Sequence, residues 1–151
     1  MTDHQVVTCP SCDQKTRVRA AAEGVPHCPK CGGALPWLAE AGMADFSAVA
    51  EQSPIPVLID FWAPWCAPCR IVAPAVEQLS RERAGELKVV KVNTDLAPVL
   101  QERFGIRGIP TLVLLEGTRE RDRVTGALNL NALRQWVGQR VPARSSRPRS
   151  A

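Results

Sequence analysis

The chain predicts an α/β protein, with parallel strands first and an antiparallel hairpin last, preceded by a small cysteine-built module. Three observations carry this prediction. Strand-length apolar runs alternate with helical patterns across residues 35–142, the order that builds a parallel sheet covered by helices. Two Cys-x-x-Cys pairs stand within the first 34 residues, a stretch too short to bury a core unaided. A third pair sits between an apolar run and a helical pattern. The resulting division is 1–34 for the cysteine module, 35–142 for the α/β domain and 143–151 for a disordered basic tail.

In the first module, Cys9-Pro10-Ser11-Cys12 and Cys28-Pro29-Lys30-Cys31 are two knuckles whose spacing fits a four-thiolate zinc site, zinc-ribbon-like in form. The Gly32-Gly33 pair permits the positive φ that such a turn needs and lets backbone N–H groups approach the sulfurs. Lys15 to Arg19 alternates polar and apolar, as a short hairpin strand does. One structural Zn2+ on Cys9, Cys12, Cys28 and Cys31 supplies folding free energy that so short a stretch lacks. His27 abuts a ligand but reads as a solvated loop residue. The default role is structural or partner-docking; a redox switch that releases zinc stands second.

In the α/β part, Leu35 to Ala39 is the opening strand. Asp45 is placed to cap a short helix, Phe46 to Glu51. Pro56 to Trp62 is apolar on both faces, as a central covered strand should be. Asp60 interrupts it, and a carboxylate there is costly unless paired or protonated, so its pKa should rise. The competing reading is a strand-end aspartate reaching solvent. A helix runs from Pro68 to Arg83, with Val72, Ala75, Val76 and Leu79 on one face; Pro74 should kink it. Leu87 to Val92 is a strand and Pro98 to Phe104 a short helix stopped by Gly105. Thr111 to Leu115, a turn at Glu116-Gly117-Thr118 and Arg121 to Thr125 form a hairpin. Asn129 caps the last helix, lined by Leu130, Leu133 and Val137.

Composition narrows the function. Apolar residues make up 45% of the chain, enough for a real core. The net charge of +4 comes mostly from Arg144, Arg147 and Arg149 in the tail, while residues 35–142 balance, so no nucleic-acid footprint is expected. No apolar run of membrane-spanning length occurs, and residues 1–8 lack an apolar signal core. The expected compartment is the cytoplasm, where six cysteines serve as metal ligands and redox thiols rather than structural disulfides.

Cys66-Ala67-Pro68-Cys69 carries the chemistry. The first sulfur stands at a helix N-terminus, whose unpaired N–H groups favour a thiolate nucleophile; the second lies one turn on, close enough to close a disulfide. Asp60 reads as a buried proton acceptor behind the two thiols.

These residues resemble the thioredoxin family. The match rests on Trp62-Ala63-Pro64-Trp65-Cys66-x-Pro68-Cys69, on Asp60, on Pro74 and on Ile109-Pro110-Thr111. The four-cysteine module looks like that of the zinc-containing bacterial members, the thioredoxin-2 type. The resemblance implies a thioredoxin fold, a central mixed sheet flanked by helices. It also implies protein-disulfide reduction and re-reduction by thioredoxin reductase, with Pro110 cis and packed against the disulfide. A monomer is expected. Substrate disulfides would meet Cys66 as an added strand along Ile109, beside Trp65, Ala67 and Pro68. Cys69, assisted by Asp60, would resolve the mixed disulfide. Lys91 matches a lysine that tunes the aspartate, with an ordinary strand-end charge as the competing reading. Ala67 departs from the usual glycine and favours helix by ~1 kcal/mol. Two other functions stay open: a disulfide oxidase or isomerase, and a zinc-dependent holdase or docking module on a redox-type scaffold.

Overall fold

The computed structural model describes residues 4–142; the predicted basic tail lies outside them. It begins with a two-stranded antiparallel sheet, β1 (His4–Thr8) and β2 (Lys15–Arg19). β2 is the alternating segment expected from the sequence. Its partner β1 has no counterpart among the expected elements, because residues 4–8 carry no alternation strong enough to stand out against a polar N-terminus.

The larger sheet has five strands. They are β3 (Trp37–Glu40), β4 (Val57–Trp62), β5 (Lys88–Asn93), β6 (Thr111–Glu116) and β7 (Arg119–Thr125), in the order β3-β5-β4-β6-β7. β3 and β4 run parallel to β5, whereas β6 is antiparallel to β4 and β7 to β6. This is the mixed sheet of a thioredoxin fold, and β4 is central in it. Among the described residues there are three α-helices, α1 (Ala67–Glu82), α2 (Pro98–Arg103) and α3 (Leu130–Arg140). Among the described residues no helix is long and apolar enough to cross a membrane.

Strand alternation sorts the core into two layers. Ile59, Phe61, Val90, Val92, Val113 and Leu115 face Phe46, Val49, Leu100 and Ile106. Leu58, Val89, Leu112 and Leu114 face the other way, onto Val72, Val76 and Leu79 of α1 and Leu133 and Val137 of α3. Of the apolar helix faces predicted from spacing, Val72, Val76, Leu79, Leu133 and Val137 are buried, Ala75 packs partly buried against them, and Leu130, in the first turn of α3, is half-buried and outside this core. α1 runs through Pro74 as one helix, although that residue has no N–H to give Arg70. Asn129 caps α3 as expected, its Oδ1 accepting from the Ala132 N–H at 2.8 Å.

One helix start differs. Residues Ser47–Glu51 form a π-helical turn whose N-cap residue is Phe46, not Asp45, and it receives no side-chain capping bond. The Asp45 carboxylate accepts instead from the Gly42 N–H at 2.8 Å, closing the preceding turn. Asp45 competes for local N–H groups on both sides, and the tighter turn won.

α1 ends at Glu82, with Arg83 as its C-cap, short of the predicted stop at Gly85. Gly85 lies in the turn that follows, with φ +83, and a Cβ there would come within 2.7 Å of the Ala34 side chain. The module therefore packs closely on the α/β domain. Cys9, Val18, Cys28, Leu35 and Trp37 form one shared cluster, joined by Ile55.

Candidate functional site: a dithiol pair and a four-thiolate cluster

Cys66 and Cys69 are joined in a disulfide, with Cα atoms 5.3 Å apart. Cys66 is the N-cap of α1, in an extended conformation, and Pro68 stands in the first turn, where its missing N–H costs nothing. The Cys69 N–H donates to the Cys66 sulfur at 3.2 Å. A helix terminus thus aims a backbone donor at this sulfur, the arrangement that favours an anion.

Opposite stands the loop into β6. The Cys66 sulfur lies 3.7 Å from the Ile109 carbonyl oxygen, and the Ile109–Pro110 peptide is cis. Ile109 and Trp62 pack on the cluster formed by Ala63, Cys66 and Cys69. Pro110 is buried, whereas Trp65, Ala67 and Pro68 are exposed. Trp65 is 69% exposed, and its indole N–H is held by Asp95 at 3.1 Å. A cleft of about 240 Å³ opens beside it, lined by Trp65, Thr94, Asp95, Arg107, Gly108 and Ile109. Sequence reasoning does not single out Asp95 or Arg107. The available signal for Asp95 is an acid placed just past a strand end, near an exposed tryptophan whose N–H needs a partner.

Asp60 is buried, not solvent-reaching. Neither carboxyl oxygen has a hydrogen-bond partner among the described residues. Burial pushes its pKa up to about 6; the Lys91 ammonium pulls against this, and Glu77 adds to the rise. Lys91 is the parallel neighbour of Asp60 in register, and its ammonium lies 5.3 Å from the centre of the Trp62 ring. Asp60 and Trp62 share a face of β4, and Trp62 in turn packs on the cysteines. Lys91 is therefore part of this site's electrostatics rather than an unrelated surface charge.

The four remaining cysteines converge. Their sulfurs all lie within 4.8 Å of one another, with Cys9 to Cys31 and Cys12 to Cys28 each at 3.6 Å. A tetrahedral zinc with Zn–S bonds of ~2.3 Å sets its sulfurs ~3.8 Å apart, so the cluster fits a metal ion. The two knuckles repeat one turn. Asp13 N–H bonds to Cys9 O at 2.9 Å, and Gly32 N–H to Cys28 O at 2.8 Å. The donor residue has positive φ in each, 64° at Asp13 and 77° at Gly32. Gly33 N–H points at the Cys31 sulfur at 3.4 Å. The N–H of Cys31 brings the Cys28 thiol down to about 7, against burial, which pushes it up. At Cys12 the Gln14 N–H lowers the thiol, but burial and the neighbouring sulfurs outweigh it and push that thiol up to about 12, so a metal would have to displace protons that the four sulfurs share. His27 is exposed and stands outside the cluster.

A two-cysteine centre at a helix N-cap, facing a cis proline across an α/β sheet, defines a thiol–disulfide oxidoreductase. The thioredoxin family profile matches residues 37–139, and the chain belongs to that family. It is similar to Thioredoxin C-3 of Corynebacterium nephridii, 38% identical over 139 residues, 90% of this chain and 95% of that protein. A match of that extent takes in part of the four-cysteine module. It is also similar to Thioredoxin 1 of Nostoc sp. (strain PCC 7120), 47% identical over 92 residues, 61% of this chain and 86% of that one. The thioredoxin of Haemophilus influenzae is 42% identical over 98 residues, 65% of this chain and 92% of that one.

Proposed function

We propose that this enzyme is a protein-disulfide reductase of the zinc-containing bacterial thioredoxin-2 type, a monomer of the cytoplasm re-reduced by thioredoxin reductase. The observation that carries the reading is the Cys66 sulfur, which receives the Cys69 N–H and faces the Ile109 carbonyl. In the reduced enzyme that donor favours the Cys66 thiolate. The thiolate attacks one sulfur of a substrate disulfide, and the other sulfur leaves as a thiolate. The substrate backbone lies as an added strand against Ile109, beside Pro110, with Trp65, Ala67 and Pro68 around the sulfur. Cys69 then gives its proton to Asp60 and attacks the Cys66 sulfur. The second substrate thiolate leaves and takes up a proton, and the enzyme is left with the Cys66–Cys69 disulfide. Two electrons have passed to the substrate, and the reductase restores them from NADPH.

With its pKa raised to about 6, Asp60 is ionised near neutrality yet basic enough to accept a proton. Residues 1–34 are read as a separate structural unit whose four thiolates hold one Zn2+, residues 35–142 as the redox domain. The metal supplies folding free energy and stays closed to substrate.

The test is insulin reduction by the full chain with NADPH and thioredoxin reductase. The wild type should turn over, and Cys66→Ser should lose more than ~10³-fold, as removal of a covalent nucleophile does. A Cys66→Ser chain that still reduces insulin refutes the mechanism. A measured potential above ~−180 mV, against ~−270 mV for thioredoxin, would make the enzyme an oxidant instead.

A further inference from the structure

β5 carries two lysines on opposite faces. Lys91 serves the dithiol site; the redox chemistry makes no use of Lys88. Yet Lys88 is only 1% exposed. Burial alone shifts its pKa, downward to about 7, with no carboxylate contributing. An ammonium held in this way is costly unless its donors are all engaged.

Two carbonyls and an aromatic ring surround it, from parts of the chain far apart in sequence. Lys88 Nζ donates to the carbonyl of Ala20, in the cysteine module. It donates to the Val49 carbonyl of the π-helical turn at 2.6 Å. It also lies 3.8 Å from the centre of the Trp37 ring, close enough for a desolvated cation–π contact. Trp37 and Lys88 are register partners at the starts of β3 and β5, so their side chains rise from the same face. Trp37 adds a grip of its own, its indole N–H donating to the Arg19 carbonyl at 2.9 Å. Two adjacent carbonyls at the end of β2 are therefore held from beneath by two adjacent side chains of the large sheet. The same β2 contributes Val18 to the cluster that contains Cys9 and Cys28.

We infer that Lys88 and Trp37 form a clasp that seats the four-cysteine module on the redox sheet, with Lys88 a positioning residue for the metal site. An apolar residue at 88 could fill the space but would leave the Ala20 and Val49 carbonyls without this partner. The shared apolar cluster supplies contact area, which allows sliding; the clasp supplies direction. The inference rests on the proposed zinc reading only for its metal arm.

The experiment compares the zinc-loaded full chain with Lys88→Met, which keeps length and apolar stem but removes the donors. Peptide-level hydrogen exchange is read separately over residues 4–20 and over β4 and β6. Read at pH 6, where Lys88 carries its proton, exchange over 4–20 should quicken about tenfold, the effect of one lost hydrogen bond to a charged group. β4 and β6 should stay within about twofold, because the opening is local. Zinc transfer to a chromogenic chelator should quicken in parallel. An unchanged 4–20 segment overturns the clasp. So does equal quickening of all three regions, which would make Lys88 an ordinary core residue. Should Lys88→Met not fold, Trp37→Phe, which keeps a ring but loses the Arg19 bond, must give the same regional pattern or the clasp is wrong. A chain that binds no zinc refutes the metal reading, while the exchange comparison still decides the clasp.

Discussion

The cysteine module and the dithiol site use the same four-residue unit and reach opposite chemistry. In both, two cysteines are held with two residues between them, one of which is a proline. In the module, each knuckle closes on itself, and its partner across the cluster is another knuckle; the four sulfurs meet within 4.8 Å. At the dithiol site the partner across the gap is the Ile109–Pro110 peptide, which brings no sulfur. With nothing else to ligate, Cys66 and Cys69 pair with each other. The backbone beyond the second cysteine also differs. Positive-φ residues, Asp13 and Gly32, turn the module chain back, whereas after Cys69 the chain continues along a helix of 16 residues, α1. The lesson is that the Cys-x-x-Cys spacing sets reach, while the opposing element and the continuing backbone set function.

The largest effect should come from exchanging serine into each region. On the proposed zinc reading, Cys28→Ser takes one sulfur from the four-cysteine cluster and should cost most of the tight binding, whose full apparent free energy in such sites is on the order of 10 kcal/mol. Insulin reduction should survive, the reverse of Cys66→Ser. Zinc content and turnover measured on both variants check this. If Cys28→Ser also stops turnover, the two regions are one machine and the comparison breaks.

Asp60→Asn sharpens the contrast from the redox side. Because the folded pKa of Asp60 is raised from 3.8 to about 6, the native state holds this proton more tightly than the unfolded chain. The associated stability is present below about pH 4 and is lost as pH rises through about 6. At pH 7 the buried carboxylate therefore costs about 3 kcal/mol. Asp60→Asn should stabilise the chain by about that amount at pH 7 and hardly at all at pH 4, while slowing release of reduced substrate. Urea unfolding at the two pH values, with single-turnover kinetics, is the check. Equal stabilisation at both would mean that burial of the charge is not what raises the pKa.

The smallest effect tests the helix start. Ala67→Gly loosens the first turn of α1 and should lower stability by at most about 1 kcal/mol. Turnover should persist, because the Cys69 N–H still faces the Cys66 sulfur. A loss approaching that of Cys66→Ser would show that the residue between the cysteines, not the helix end, governs the nucleophile.

Much of this was legible from residue order. The alternation of β2, the central apolar run of β4, the helix faces of α1 and α3 and the Asn129 cap are local patterns written in neighbouring residues. Both cysteine constellations were legible too, because thiolate chemistry demands fixed spacings. Other features had no local signal. β1 exists because β2 needs a partner. Asp45 had two turns to choose between. Asp95 became a site residue only when the chain brought Trp65 within 3.1 Å of it, 30 residues away.

The amino-acid order alone thus settled most classes of element and the two sets of sulfurs, and it marked Asp60 as a carboxylate out of place in a strand, buried or strand-end. Only the folded chain decided which knuckle faces which, that Asp60 has Lys91 beside it, and that Lys88 reaches across 68 residues to the Ala20 carbonyl. The physical reason is range. Hydrophobic period, turn chemistry and ligand spacing act over a few residues. Hydrogen bonds and pKa shifts depend on ångström-scale distances that only long-range packing creates.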